Sequence, residues 1–268
     1  MKRAIDKTLL KAVSIALLLI LTACNIQTGK SHFVLAERLF NNRKYQAAIQ
    51  EFKKVVESDP KSDISQQALF RIATIQYLYI SEYAEAVKTF RQFSFISQDT
   101  RAVYESEKNI GEILFSKLED YRGALEQYQR LLGKYPDARD KDLFYFRLAK
   151  SNYFSLKFED AIKYFKKLVN EMPQSPLVEE SYYNIGNSYY TSGDYDAALE
   201  AFEDVLSKFP KGTHSVFAVF GLASCYAEMD QLEEAYNLFN KIKDLYPSKN
   251  VVELKIKSVQ ERREKRNR

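Results

Sequence analysis

Four side chains in this 268-residue sequence have the basicity or softness on which nucleophilic catalysis and metal binding most often depend: His32, His214, Cys24 and Cys225. A nucleophile needs a base within hydrogen-bond reach, and a zinc site needs three or four such ligands converging on one point. The two histidines stand far apart in the chain. No His-Glu-x-x-His or Cys-x-x-Cys spacing occurs, and no Gly-rich phosphate loop is present. Carboxylates are abundant, but pairs such as Glu233-Glu234 fall at helical spacing on faces that read as solvated. Cys225, beside Leu222, Ala223 and Tyr226, reads as a small buried apolar residue. These residues predict no catalytic centre, no metal site and no cofactor, which leaves binding as the function to look for.

Cys24 has another chemistry, set by what precedes it. Lys2, Arg3, Lys7 and Lys11 form a basic start, followed by an apolar run from Ala12 to Ile20 and then Leu21-Thr22-Ala23-Cys24. At about 1.5 Å per residue, Ala12 to Ala23 would span only about 18 Å as a helix. The hydrocarbon core of a bilayer is about 30 Å thick, so these features predict a secretory signal peptide instead of a membrane span. Leu21-Thr22-Ala23-Cys24 resembles the lipobox of bacterial lipoproteins. The resemblance implies a leader over 1–23, lipid on Cys24, and a short tether over 24–31. An ordinary leader with an incidental cysteine is the other reading. Asn25, where an aspartate would imply inner-membrane retention, implies the periplasmic side of the outer membrane. The outer face of an inner or single cytoplasmic membrane is the alternative.

Cleavage would remove those four basic groups against Asp6 and leave the chain near +1 of its formal +4. Nucleic-acid binding has no electrostatic support from that balance. With Cys24 acylated, Cys225 would have no disulfide partner.

The body of the chain is periodic. Ala48, Ala86, Ala124, Ala161, Ala198 and Ala235 recur at spacings of 38, 38, 37, 37 and 37. Four residues after each stands Phe52, Phe90, Tyr128, Phe165, Phe202 or Phe239, and three before each stands Tyr45, Tyr83, Tyr121, Phe158, Tyr195 or Leu232. Eight residues after the aromatic comes Pro60, Pro136, Pro173, Pro210 or Pro247; only the second unit departs, with Gln98. Spacings of three and four put these residues on one helical face, and proline, lacking an N–H, ends the helix. Each unit also has an upstream amphipathic helix. In the fifth it holds Tyr182, Ile185, Gly186 and Tyr189, with Ser175-Pro176 expected to open it and Gly193-Asp194 to turn it.

The fifth unit resembles the tetratricopeptide repeat (TPR) pattern W-x₂-L-G-x₂-Y…A-x₃-F…P, with Tyr182 in the tryptophan place. The sixth follows with Val219, Leu222, Ala223, Tyr226, Ala235, Phe239 and Pro247. Two departures stand out. The period exceeds 34, and the second and third units carry one more residue between Ala73 or Gly111 and the following alanine. The resemblance implies an all-α, right-handed superhelical solenoid of six helix–turn–helix repeats, at about 32–60, 64–98, 102–136, 140–173, 176–210 and 213–247. Residues 248–268 would be a capping helix and basic tail. Its arginines would cover the end of the stack or touch acidic lipid or an acidic partner.

The family's first helices line a concave groove. Carried over, the fifth groove positions are Phe33, Phe70, Lys108, Phe146, Tyr183 and Phe220, and the twelfth are Phe40, Tyr77, Phe115, Tyr153, Tyr190 and Ala227. Most are aromatic, which suits either partner anchors or packing between repeats. Lys108, Asn109, Arg147, Lys150, Asn184 and Asn187 form a polar centre, read as a solvated face or as a relative of the family's carboxylate clamp. The expected partner-binding set is Phe33, Phe40, Phe70, Tyr77, Phe115, Phe146, Lys150, Tyr153, Tyr183, Asn187 and Tyr190. Longer repeats of this kind resemble those of the TPR subunit of the β-barrel assembly machinery and of Tol–Pal-associated periplasmic TPR proteins. The expectation is therefore a scaffold that binds envelope proteins through peptide or helix segments, most concretely in outer-membrane β-barrel assembly. A Tol–Pal or peptidoglycan-associated coordinator, or a pilotin-type secretin assembly factor, is the alternative. A small-molecule carrier would instead close its groove into a pocket of roughly 300–1,000 Å³.

Overall fold

The computed structural model describes residues 29–266; the expected leader, Cys24 and the rest of 1–28 lie outside that span, as do 267–268. Among the described residues there are thirteen helices and no strand. After α1 (29–41) come α2 (Tyr45–Ser58), α3 (Asp63–Leu78), α4 (Tyr83–Ile96) and α5 (Thr100–Ser116). They are followed by α6 (Tyr121–Lys134), α7 (Lys141–Phe154), α8 (Phe158–Glu171), α9 (Val178–Ser192), α10 (Tyr195–Lys208), α11 (Ser215–Glu228), α12 (Leu232–Ile242) and α13 (Lys249–Arg266). Residues 29–31, expected in the tether, are already helical. None of the described helices is long and apolar enough to cross a membrane.

Two compact units divide between Asp120 and Tyr121, separating the two helices expected to form the third repeat. In the first, α2 packs on α3, α3 on α4 and α4 on α5, while Ala36 brings α1 into the core of α2 and α3. In the second, each helix from α6 to α13 packs on the next, and α9 also meets α11. The repeating alanines are all fully buried and the aromatics that follow them nearly so. Phe202 shows how tight this packing is: a Cβ added at Gly186 or Gly221 would lie 2.6 or 2.5 Å from its ring. Cys225 is buried there as expected, and burial pushes its thiol up to about 12.

The turns inside the pairs share a design that the sequence does not display. Arg43, Ser81, Glu119, Leu156, Gly193 and Asp230 all have positive φ, and only one of them is glycine. The next residue's N–H bonds back to the preceding helix, as in Lys44 to the Leu39 carbonyl and Asp194 to that of Tyr189. In the second and third pairs that bond reaches one residue further, from Glu82 to Gln76 and from Asp120 to Leu114. The extra residue of those units is therefore absorbed in the turn and leaves the helical faces in register. Asp194 caps α10 by accepting from the Ala197 N–H. The Ser175-Pro176 opening is shifted: α9 begins at Val178, and Ser175 Oγ accepts from Leu177 N–H in the turn before it and donates to Asp142.

At the C-terminal end Val252, Ile256 and Val259 of α13 face the α11–α12 core. Arg262 and Arg266 both reach Asp230, at 3.0 and 3.3 Å, and Arg263 pairs with Glu233 while lying 4.8 Å over the Tyr236 ring. These three arginines fasten the cap.

Candidate partner-binding site

The two aromatic columns on the first helices are built from pairs within each repeat. At the fifth position Phe33 meets Phe52, Phe70 meets Phe90, Phe146 meets Phe165 and Phe220 meets Phe239, all edge-on at 5.3–5.8 Å. Tyr183 makes the corresponding tilted contact with Phe202. At the twelfth position Phe40, Tyr77, Tyr153 and Tyr190 meet Tyr45, Tyr83, Phe158 and Tyr195, the rings that open the second helices. Such pairs favour an aromatic residue by about 0.5–1.5 kcal/mol beyond area burial, so packing explains much of the periodicity. Phe115 and Phe146 are 9 % and 5 % exposed. They belong to the interior, and their expected place on the binding face is corrected. Phe33, Phe40, Phe70, Tyr77, Tyr153, Tyr183 and Tyr190 are half-buried, as are Lys150 and Asn187, so each retains an accessible edge.

One place in the first unit opens further. Phe33 of α1, Phe70 of α3, Phe93 of α4 and Ala102 of α5 line a recess of about 430 Å³. Its rim holds Asp63, Gln66, Gln67, Arg71, Ser97 and Asp99. Arg71 is held in a two-pronged pair with Glu37, both contacts 2.7 Å, and lies 4.3 Å over the Phe40 ring. Asp99 is occupied in capping α5 through the Arg101 and Ala102 N–H groups. The recess therefore offers three aromatic faces with amide and hydroxyl groups at its edge, suited to an apolar side chain carried on a polar backbone. Of its lining, the sequence reading named Phe33 and Phe70 but not Phe93, Gln67 or Ser97. The signal was available at Ser97-Gln98, the one unit that lacks proline: Tyr135, Met172, Phe209 and Tyr246 stand where Ser97 does in the four repeats that follow.

Family models described as tetratricopeptide repeat match residues 29–62, 67–94, 109–138, 144–175 and 189–255. Together they span well over half of the chain. It is a tetratricopeptide repeat protein. No curated protein matches the chain significantly. Among solved structures, the C-terminal part of a TPR repeat-containing protein from Cytophaga hutchinsonii is similar at 23 % identity and a TM-score of 0.57, covering 85 % of this chain and 92 % of that one. PilW, described as a widely conserved type IV pilus biogenesis factor, is similar at 17 % identity and TM-score 0.53, over 87 % of this chain and 99 % of that one. A chain of the Naa15/Naa10 complex bound to HypK is similar at 15 % identity and TM-score 0.64, over 89 % of this chain and 35 % of that one. At these identities the likeness is one of fold.

Within this tetratricopeptide frame the expected polar centre is resolved into links between helices. Lys150 Nζ donates to Asn184 Oδ1 at 3.4 Å, from α7 to α9, and lies 5.4 Å from the Phe154 ring. Burial pushes the Lys150 ammonium below its ordinary range; Glu180 opposes that and Arg147 adds to it. Asn184 is buried, and its amide donates at 2.7 Å to the Glu180 carbonyl of its own helix. Its side chain is thus engaged on both sides, which removes it from a carboxylate clamp. Lys108 and Asn109 belong to the other unit. A contact missed from sequence joins α9 to the turn before α11: Glu179 accepts from the His214 N–H at 2.6 Å and from the Thr213 hydroxyl at 3.3 Å. Beside it Tyr183, His214, Phe217, Tyr246 and Phe220 form a continuous run of rings.

Proposed function

We propose that this tetratricopeptide repeat protein is a scaffold that holds partner proteins by an apolar anchor seated in the recess of the first unit. The observation that carries this reading is the recess itself, about 430 Å³ floored by Phe33, Phe70 and Phe93, with Ser97 standing where the four following repeats have a large side chain. Its volume falls within the range of small-molecule sites, roughly 300–1,000 Å³. The rim nevertheless carries the Gln66 and Gln67 amides and the Ser97 hydroxyl, groups able to pair with a peptide backbone, and on that ground we favour a protein segment.

The setting we infer is the cell envelope: a lipid anchor at Cys24, as Leu21-Thr22-Ala23-Cys24 implies, on the periplasmic side of the outer membrane, with a part in β-barrel assembly. The second reading is pilotin-type secretin or pilus assembly, or coordination with Tol–Pal and the cell wall. PilW, a type IV pilus biogenesis factor by description, shares the fold over 99 % of its own chain, and is the reason that reading stays second in place of falling away. A photoreactive residue at Gln67, exposed on the recess rim, tests both. Crosslinks in cells to barrel-assembly components support the first reading. Crosslinks to a secretin, Pal or cell-wall enzymes move the function to the second. Absence of protein crosslinks at Gln67, with strong ones from Tyr153, takes the recess out of the function.

A further inference from the structure

The outer side of α1 combines basic and apolar side chains without an acid. Lys30, Val34, Arg38 and Asn41 follow one another at helical spacing, with Ser31, Leu35 and Asn42 beside them, and all seven are exposed. Val34 is 62 % and Leu35 41 % exposed, so two branched apolar side chains flank a basic one. Arg43 and Lys44 continue the positive charge into the turn. Among the described residues no carboxylate pairs with Lys30, Arg38, Arg43 or Lys44, and the exposed arc contains no acidic residue. The acid of this helix, Glu37, points the other way, to Arg71. The contrast with the tail is direct: there Arg262, Arg263 and Arg266 are already matched by Asp230 and Glu233.

We propose that this face of α1 lies on an anionic phospholipid surface, with Val34 and Leu35 entering the headgroup layer and Lys30, Arg38, Arg43 and Lys44 meeting the lipid phosphates. The proposal rests on the reading that Cys24 is acylated. Lys30 is the sixth residue after Cys24, and at most about 3.6 Å per residue keeps Lys30 within about 22 Å of the anchor. At that range the positive arc cannot avoid sampling the headgroups, and each basic side chain near an anionic surface favours contact by about fivefold. Branched apolar residues between basic ones are the pattern by which a helix rests in an interface. The anchored end of the protein would thereby be seated in one orientation, and would not swing freely on a tether.

The test uses the full chain extracted from membranes, with Val34→Cys carrying an environment-sensitive fluorophore; Cys225 is buried and does not compete for the reagent. The protein is placed on phosphatidylcholine vesicles with and without phosphatidylglycerol, and peptide mass spectrometry of the same preparation reports acylation of Cys24. The expected result is fluorophore shielding from an aqueous quencher by about threefold on the anionic vesicles only, reversed by salt as screening shortens the electrostatic reach. Lys30→Glu with Arg38→Glu should abolish the shielding while the far-ultraviolet helical signal is unchanged. Acylated Cys24 with equal quenching on both vesicles overturns the seating of α1 and leaves the anchor standing, and points this face to a protein. Cys24 without lipid overturns the anchor, and the proposal with it.

Discussion

In the second repeat Phe70 meets Phe90 at 5.8 Å and 71°, and in the sixth Phe220 meets Phe239 at 5.4 Å and 67°. Around that common pair the two repeats differ at two corresponding places. Where the second has Gln67 and Ser97, the sixth has Phe217 and Tyr246. Tyr246 stacks on Phe220 at 4.7 Å and meets Phe217 at 5.4 Å, so rings occupy the space that the second repeat leaves as a recess. The frame of alanine and aromatic is thus independent of the side chains that decide whether a cleft exists beside it. A repeat can gain or lose a binding recess without disturbing how it stacks.

The comparison breaks most severely where the two repeats agree. Phe90→Ala and Phe239→Ala should each cost about 3–5 kcal/mol, as for other buried phenylalanine truncations. Urea unfolding followed by circular dichroism checks this, and a loss below about 1 kcal/mol in either would show that the two frames are not equivalent. Next comes Tyr246→Ser, which copies the second repeat into the sixth. It removes a half-buried ring with two ring contacts, so a cost of about 2 kcal/mol is expected. A new site for an apolar dye should appear in that variant; unchanged dye binding would mean that Phe217 or the cap collapses into the gap.

The reciprocal change, Ser97→Tyr, should fill the recess. Stability should change by less than about 1 kcal/mol, since Ser97 lies at a helix end, half-exposed. Crosslinking from Gln67 to its partner should fall at least several-fold, measured against an unaltered crosslink at Tyr153. The smallest effect concerns Tyr190, whose phenol is raised from 10.0 to about 12, first by burial and then by Glu228. A raised acid favours the neutral form in the folded state, so its contribution is present below pH 10 and is lost as pH rises toward 12. Phenolate absorbance of the native protein against Tyr190→Phe should locate one late-titrating tyrosine in that window. Loss of the difference in urea confirms that folding causes it.

Much of the stack was legible because it depends on spacings that a linear chain displays. Ala48 to Ala235 and the rings four residues on are buried as their periodicity predicts, and Pro60, Pro136, Pro173 and Pro210 stand just past their helices, whereas α12 ends at Ile242, well before Pro247. The candidate site was harder to read. Phe33 and Phe146 hold equivalent positions, yet one is half-buried beside a recess and the other is buried, because exposure depends on side chains from a neighbouring repeat. Phe93, deep in the recess, lies in no column that the family pattern marks. Asn184 carries the right chemistry for a clamp, but a hydrogen bond to its own helix, invisible in spacing, redirects it. The turns escaped notice for a related reason: the left-handed residue is glycine only at Gly193, and Arg, Ser, Glu, Leu and Asp elsewhere give no backbone signal.

Those five residues hold a conformation that a side chain disfavours, each costing of order 1 kcal/mol. They sit at least 37 residues apart, one to a pair. Changes at such separated positions add nearly independently. Glycine at Arg43, Ser81, Glu119, Leu156 and Asp230 would raise thermal tolerance in small cumulative steps, about 0.5 kcal/mol at a time after the entropy of the freer unfolded chain is counted. Asp230 would give the least, because there the same residue also holds Arg262 and Arg266. The array therefore contains a graded route to heat resistance that leaves the recess and the aromatic frame unchanged, and only the Arg43 step removes a charge from the basic face beside α1.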